Sequence, residues 1–543
     1  MATPLPDSLE RLSASDLIGV VRDLIGEVGR LRAENEHLGD ALTKLKAEHQ
    51  AIKDELARLK KLPPRPPQKP SGMDKATDRG GDKSPAGEKS RRRRGSRLDK
   101  LTIGATVVVS AKAPAGSRHK GYEDIVVQDL NLSPQVTLYR RERWETPEGE
   151  RIIAELDRGI VGGYGPNLHR LVLALHFSGQ VTCERIVALL NGMGVVISKR
   201  QVVRLLTVKL DTFRTEDAAV LQAGLSGAYV TVDDTGARHA GNSGYTTQIG
   251  ADTFTVFRTG ASKSRLAFLS RLCGATAFYV INEAALSYMK DRQLPQAVID
   301  KFADHEERIF WSSEAWERHL QALGLTELKV TPDPVLIASE GALWGAIRHQ
   351  GLLADTVIVS DDAGQFRVGV HALCWVHAER LVHKLLPAND KQRNAIAVAK
   401  RMIWWFYRCL KEYKLAPSPQ QAQVLRARFD RIFKRGATGY VMLDRLLRRL
   451  FRHKEALLRV LDRPEIPLNT NASENDIRAF VTKRKISGGT VSLKGRDARD
   501  IMIGLAKTCL KLNLSFYHFL GARLGIPGPQ IPPLPELIRH APS

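Results

Sequence analysis

From Leu17 onward, apolar positions recur at alternating intervals of four and three: Leu17, Val21, Leu24, Val28, Leu31, Asn35, Leu38, Leu42, Leu45, His49, Ile52, Leu56 and Leu59. The spacing does not slip over about six heptads, which predicts a leucine-zipper coiled coil over 14–62. With Leu17, Leu24, Leu31, Leu38, Leu45, Ile52 and Leu59 at d, position a holds Val21, Val28, Asn35, Leu42, His49 and Leu56. Valine at a with leucine at d favours two parallel strands, and a buried Asn35 would fix the register by pairing with its mate. No other heptads offer an intramolecular partner, so the pattern predicts a homodimer through residues 17–59. Gly19, Gly26 and Gly29 weaken its first turns.

The pattern then breaks. Pro63-Pro64-Arg65-Pro66-Pro67 cannot continue a helix, and residues 63–100 read as a disordered basic linker with twelve basic and five acidic residues. Short segments rich in β-branched and apolar residues at 106–110, 123–127 and 135–140 are candidate strands of a small β-rich unit over 101–157. Residues 158–222 turn helical. Thr182–Asn191 and Ser198–Leu210, joined across Gly192-Met193-Gly194, have the helix, glycine turn, helix pattern of a DNA-binding helix-turn-helix, with Ser198 as N-cap. Two short helices about a glycine are also common in any helical domain. From Ala228 the period changes to strands: 228–232, 245–249 and 253–257 as a meander, then 355–360 after a helical stretch. Leu443, Leu446, Leu447 and Leu450 form the apolar stripe of a helix whose other positions include Arg445, Arg448, Arg449 and Arg452. The core is expected over 223–515, with helical insertions near 275–350 and 378–466 and a C-terminal tail over 516–543.

Charge gives this organisation a partner. The 543 residues carry 82 Lys and Arg against 59 Asp and Glu, a net +23, while 43% apolar residues supply a sizeable core. Such a field attracts polyanions, of which nucleic acid is the commonest in the cytoplasm. Arg91, Arg92, Arg93 and Arg94 focus the linker's charge. Residues 426–459 hold eleven basic residues against three acidic, a density that favours a phosphate track over a merely solvated face. No run approaches about 18 apolar residues, and the first residues lack a signal-peptide pattern, so neither membrane insertion nor export is expected. Five scattered cysteines without a CxxC pair suit a reducing compartment.

Chemistry enters with the acids. Two strands each deliver a pair of aspartates, Asp233-Asp234 and Asp361-Asp362, at the end where ligands sit in open sheets. Carboxylates gathered there repel one another unless a cation lies between them, and oxygen-only ligands select Mg²⁺ or Mn²⁺. Two such ions serve phosphodiester chemistry. Glu474, starting a helix whose continuation includes Lys483, Arg484 and Lys485, supplies a third carboxylate. Other readings exist: Asp favours turns, and Asn471 with Glu474 has capping-box spacing. Alternation lets only one aspartate of each pair face the cluster, leaving Asp233 or Asp234 and Asp361 or Asp362 open.

The chain resembles the large transposases of the sixty-six family of bacterial insertion sequences. The resemblance is carried by Val232-Asp233-Asp234-Thr235, Ser360-Asp361-Asp362-Ala363, Cys374-Trp375-Val376-His377-Ala378-Glu379-Arg380 and Asn471-Ala472-Ser473-Glu474-Asn475-Asp476-Ile477-Arg478, with the zipper and helix-turn-helix region in the same order. It implies a DDE enzyme with an α/β ribonuclease-H-like core. Asp233, Asp361 and Glu474 would be its catalytic and metal-binding acids, with two Mg²⁺ or Mn²⁺ ions. The implied reaction is hydrolysis at transposon ends, then attack of the freed 3′-hydroxyl on target DNA. Many members carry a cysteine-rich zinc segment between zipper and core; here residues 95–160 contain no cysteine and His119 alone among histidines. Cys374 and His377, with His371 nearby, lack a fourth zinc ligand and read as structural.

The expectation is thus a multidomain protein: coiled coil, β-rich unit, helix-turn-helix-like region and ribonuclease-H-like core with helical insertions. Its partners would be double-stranded DNA, at transposon ends and target, and a second copy of itself, with room for accessory transposition proteins. It would work in the bacterial cytoplasm, at the nucleoid. DNA contacts are expected from Arg91–Arg94, from Lys199, Arg200, Gln201 and Arg204 on the second helix of the turn motif, from Arg445, Arg448 and Arg449, and from Arg478, Lys483, Arg484 and Lys485. The alternative is a DNA-binding regulator that keeps the fold without catalysis.

Overall fold

The computed structural model describes residues 102–541 apart from 113, 115, 157, 158, 275–277, 435 and 436, together with most of 18–34 and residue 37. Between 18 and 34 the described backbone is helical, and Val21, Val28 and Leu31 of its apolar stripe are exposed. The heptad series from Asn35 to Leu59 and the linker with Arg91–Arg94 lie outside the described residues.

The strands expected at 106–110, 123–127 and 135–140 are not formed; the described backbone from 102 to 142 pairs with nothing as a ladder. One hairpin follows instead, β1 (Arg143–Glu145) against β2 (Arg151–Ile153), with Trp144 opposite Ile152. β-Branched residues favour extended backbone, but a sheet also needs a shared buried face, and Val107, Ile125 and Val136 have none.

The helix-turn-helix-like region is clearer. Pro166–Leu173 opens it with proline in its first turn, where the missing N–H is not needed. Cys183–Gly192 and Lys199–Thr207 follow, capped by Thr182 and Ser198, whose hydroxyls accept from Arg185 N and Gln201 N. The second helix stops at Thr207 rather than Leu210, because Val208 is extended and Lys209 is left-handed at φ 56°. Leu210–Leu225 then leads into the sheet. It packs so closely that a side chain at Gly224 would strike the Phe254 ring.

The sheet has five strands. β3 (Tyr229–His239), β4 (Asn242–Gly250) and β5 (Thr255–Gly260) form the expected meander, but β3 runs through Asp233 rather than ending there. The turn between β3 and β4 is Ala240-Gly241, both with positive φ, the geometry of a two-residue hairpin. A first insertion follows β5. It carries the short pair β6 (Tyr279–Val280) and β7 (Ile309–Phe310) and four helices from Glu283 to His349, around Phe302, Phe310 and Trp316. β8 (Val357–Ser360) then pairs parallel with β3, and β9 (His371–Leu373) parallel with β8, giving the order β5-β4-β3-β8-β9. The second insertion, from Trp375–His383 to Val441–Arg452, has its own core around Trp375, Phe406 and Phe429. Leu443, Leu447 and Leu450 turn inward there, as the stripe required.

Two long helices close the sheet, Asn471–Ser487 against β3 and β4 and Leu493–Lys511 against β5. The residues expected as a tail, 516–543, instead form Phe516–Arg523 and Leu534–His540. Arg523 clamps Glu216 at 2.6 and 2.8 Å, and the buried Phe519, Leu520 and Leu534 join the sheet and the turn-motif helices in one continuous core. Phe516, Phe519 and Leu520 have helical spacing, so the chain carried that signal. No helix among the described residues is long and apolar enough to cross a membrane.

One buried ion pair joins these elements. Asp476, 4% exposed, accepts from Lys511 Nζ at 2.7 Å and Thr255 Oγ1 at 2.6 Å, while Lys511 also donates to the carbonyls of Ala251 and Phe254. The helix carrying Glu474 is thereby fixed to the β4–β5 corner. Asp476→Ala strands a buried ammonium and is expected to lower stability by about 3–5 kcal/mol, whereas Asp476→Ala with Lys511→Met recovers most of the loss. Denaturant unfolding of the two variants measures this; equal losses would mean that the pair does not act as a unit.

Candidate active site

Three carboxylates come from elements far apart in the chain. Asp233 lies midway along β3, Asp361 follows the last residue of β8, and Glu474 is in the first turn of Asn471–Ser487. Burial pushes the Asp233 carboxyl up to about 7, and the neighbouring charges of Asp361 and Glu474 push the same way against His377. That coupling puts the three acids and His377 in one electrostatic neighbourhood.

The two adjacent aspartates are engaged elsewhere. Strand alternation turns Asp234 to the opposite face, where its carboxylate accepts from Thr247 Oγ1 and, at 3.0 Å, from Gln365 Nε2. Asp362 is ion-paired with Arg367 and Arg449. Burial alone would raise its pKa, but the two guanidiniums hold it below the usual carboxylate range. Tertiary contacts thus distinguish the two members of each pair, which the sequence does not.

Glu474 makes no capping box. The helix N-cap is Thr470, without a side-chain bond, and the Glu474 carboxylate is held instead by Arg380, which donates at 2.7 Å to Oε1 and 3.3 Å to Oε2. His377 Nε2 lies 3.8 Å and Arg478 4.0 Å from the same carboxylate. His377 and Arg380 are three residues apart on Trp375–His383 and so share a face. That spacing was present in the Cys374–Arg380 motif, and sequence reasoning did not draw Arg380 from it. Burial opposes ionisation of Cys374, yet its bond with His377 holds the thiol below and the imidazole above their ordinary values. His371 turns elsewhere, to Ser360 Oγ at 2.8 Å. Among the described residues, no group of three or more His, Cys, Asp and Glu side chains is placed to hold a metal ion.

The basic residues divide by accessibility. Lys199, Arg200 and Arg204 are exposed on the second helix of the turn motif, with Lys199 2.5 Å from Glu184, and Gln201 is half-buried. Arg445, Arg448 and Arg449 are exposed along Val441–Arg452 and, with Arg452, Leu381 and Leu385, line an open groove of about 900 Å³. Arg478 and Lys485 are exposed, and Arg484 is half-buried beside Gly236.

Lys483 requires a correction. It is 2% exposed and donates to His176 O at 2.7 Å, capping the turn after Pro166–Leu173, so its charge points into the protein and not towards DNA. Lys at 483 and Arg or Lys at 484 and 485 look alike in sequence; the helical period sends the first inward.

Comparison with known proteins follows the same region. Residues 354–498, which include Asp361, Arg380 and Glu474, match a family described as "Transposase IS66 family". The chain is also 55% identical over 320 residues to the uncharacterized protein y4jO of Sinorhizobium fredii, a stretch covering 59% of this chain and 99% of that protein.

Burial pushes the Lys483 ammonium down to about 8. Between there and its ordinary value near 10.5, the unfolded chain holds a proton that the native chain has released, so stability rises with pH across that window. Relative to Lys483→Met, the wild-type protein is expected to gain stability from pH 8 to 10.5 by urea unfolding, and the variant is expected to keep its affinity for duplex DNA. A folded variant with weakened DNA binding would contradict the inward placement.

Proposed function

The chain belongs to the transposase IS66 family, and on that premise we propose that it cleaves DNA at transposon ends and joins the freed strands to target DNA through Asp233, Asp361 and Glu474. The observation that carries this reading is that Asp233, on a strand, feels the charges of Asp361, at the end of the parallel neighbour, and of Glu474, on a helix, while Asp234 and Asp362 are drawn into other contacts. The sheet order, with three antiparallel strands followed by two parallel to the first, supports a ribonuclease-H-like core.

The reaction has two balanced steps. Water attacks phosphorus at a transposon end and the 3′-oxygen leaves, taking a proton to become a hydroxyl. That hydroxyl then attacks phosphorus in the target and displaces the target's own 3′-oxygen. One P–O bond forms and one breaks in each step, and no covalent protein intermediate is needed. Carboxylate oxygens are the donors that Mg²⁺ or Mn²⁺ takes. As they lie, however, the three acids do not fit such ions: both oxygens of Glu474 are on Arg380, and among the described residues no three acids, histidines or cysteines are placed to hold a metal ion. The protein's own contribution is to bring the acids to one corner of the sheet and to hold the phosphate backbone beside them.

That holding falls to Arg445, Arg448 and Arg449 along the groove, to Arg478, Arg484 and Lys485 beyond Glu474, and to Lys199, Arg200, Gln201 and Arg204 on the turn motif. Arg91–Arg94 add a basic linker, and residues 17–59 pair two copies. The reading places the work in the bacterial cytoplasm, on DNA.

The test uses purified full-length protein, Mg²⁺ and labelled duplex carrying the element's terminal inverted repeat. Wild type is expected to nick and join. Asp233→Asn, Asp361→Asn and Glu474→Gln should each lower the rate by more than about a hundredfold, beyond the loss typical of a residue that only supports a metal ligand, with DNA binding retained. Binding without nicking, unchanged by Asp361→Asn, would instead favour a regulator that keeps the fold. Arg445→Ala with Arg448→Ala is expected to weaken binding to all sequences alike and to reduce the slope of log affinity on log salt by about 2. An unchanged slope would remove that helix from the DNA path.

A further inference from the structure

The groove along Val441–Arg452 has two kinds of lining. Its four arginines, at 445, 448, 449 and 452, follow the spacing of one helix side and span about 10 Å of the axis. All four are exposed, and Arg449 also pairs with Asp362. The same helix brings Met442, Leu446 and Phe451 to the groove, and Leu381 and Leu385 line it from Trp375–His383 and the turn that follows. Leu443, Leu447 and Leu450 already supply the buried face of Val441–Arg452, and Met442 is left 52% exposed. The groove therefore offers guanidiniums above an apolar floor that still faces solvent.

These two linings together select among polyanions. A duplex turns its phosphates outward and encloses the faces of its bases, so it would use the arginines and leave the floor uncovered. A single strand presents phosphates and base faces at once, and a cationic track beside an apolar platform is how unpaired nucleic acid is held without reading its sequence. Position argues the same way. Asp233, Asp361 and Glu474 are all half-buried, and duplex DNA, with a persistence length of about 50 nm, bends towards recessed groups only at a cost. The groove reaches their neighbourhood through the pairing of Arg449 with Asp362, the residue after Asp361. An occupant at that end lies where a DNA strand has chemistry to undergo and an acidic peptide has none.

Deepening the transposase reading, on which this rests, we propose that the groove between Val441–Arg452 and Leu381–Leu385 binds unpaired DNA, the strand leading to the point of cleavage. Its arginines take the phosphates and its apolar floor takes the bases. Opening of the transposon end is then favoured by the protein itself, because the separated strand has a surface that the duplex cannot use.

The test compares three labelled ligands on full-length protein by fluorescence anisotropy: oligothymidine, an abasic strand of the same length, and a duplex. The abasic strand keeps every phosphate and removes the bases, so contributions from other basic surfaces cancel in the comparison. Wild type is expected to bind oligothymidine about tenfold more tightly than the abasic strand, the scale of one base held on an apolar platform. Met442→Ser with Leu446→Ser should abolish that preference while leaving duplex affinity and the slope of log affinity on log salt unchanged. Met442→Ser alone should reduce it, and carries the test if the double variant does not fold. Arg445→Ala with Arg448→Ala should weaken oligothymidine and abasic strand equally, keeping their ratio.

Equal binding of oligothymidine and abasic strand by wild type overturns the proposal, as does a preference that survives both serine variants. An acidic amphipathic peptide that binds wild type, is lost in the serine variants and is not displaced by oligothymidine would give the groove to a protein partner instead. The transposase reading is scored separately: nicking that depends on Asp361 without any base preference keeps that reading and removes this one. A base preference that the serine variants abolish, with nicking indifferent to Asp361→Asn, keeps the strand-binding groove and sinks the triad.

Discussion

The position of one helix governs the whole site, and a buried ion pair sets that position. Asp476 and Lys511 meet at 2.7 Å among the carbonyls of the β4–β5 corner, joining two long helices to the sheet through charge-assisted bonds. Two residues apart on a helix means opposite sides of it, so the side chain that anchors inward at Asp476 turns Glu474 away from β5, towards Arg380. The acid paired with Arg380 and the acid that holds the helix are products of the same turn. A buried pair of this kind contributes little net stability over an apolar one, but breaking half of it is severe.

Charge is distributed by the same logic. The surplus of +23 is not a uniform coating. Arg258 is paired with Asp217, Arg265 with Glu340, Arg380 with Glu474 and Arg523 with Glu216, and all of these are largely withdrawn from solvent. Other arginines and lysines stay exposed, among them those along Val441–Arg452 and the exposed side of Asn471–Ser487. The basic groove and the acidic corner touch through Arg449 and Asp362, so opposite fields lie side by side. A polyanion attracted by one is delivered next to the other.

Much of this was legible in the chain because it depends on local spacing. The cap at Ser198, the meander after Ala228, the inward leucines of Val441–Arg452 and the helix around Glu474 follow from periods of 2.0 and 3.6 and from short side chains bonding nearby N–H groups. The failures share a cause as well. Residues 106–140 have the composition of strands without a partner to pair with, and 516–540 were passed over although the core behind Leu210–Leu225 needed covering. Lys483 was grouped with its basic neighbours because charge, unlike direction, is visible in one dimension.

The sequence by itself determined which residue types are available: three acids in strand, strand and helix order, an excess of arginine, and a family motif running from Cys374 to Arg380. It could not choose within Asp233-Asp234 or Asp361-Asp362, because alternation makes the two members of a pair equivalent until one face is buried. Tertiary structure sets the members apart by giving Asp234 to Thr247 and Gln365 and Asp362 to Arg367 and Arg449. It alone set Arg380 on Glu474 across 94 residues of chain. Local periodicity dictates what a segment becomes; which charge finds which depends on how segments distant in sequence pack, and electrostatic pairing acts through space.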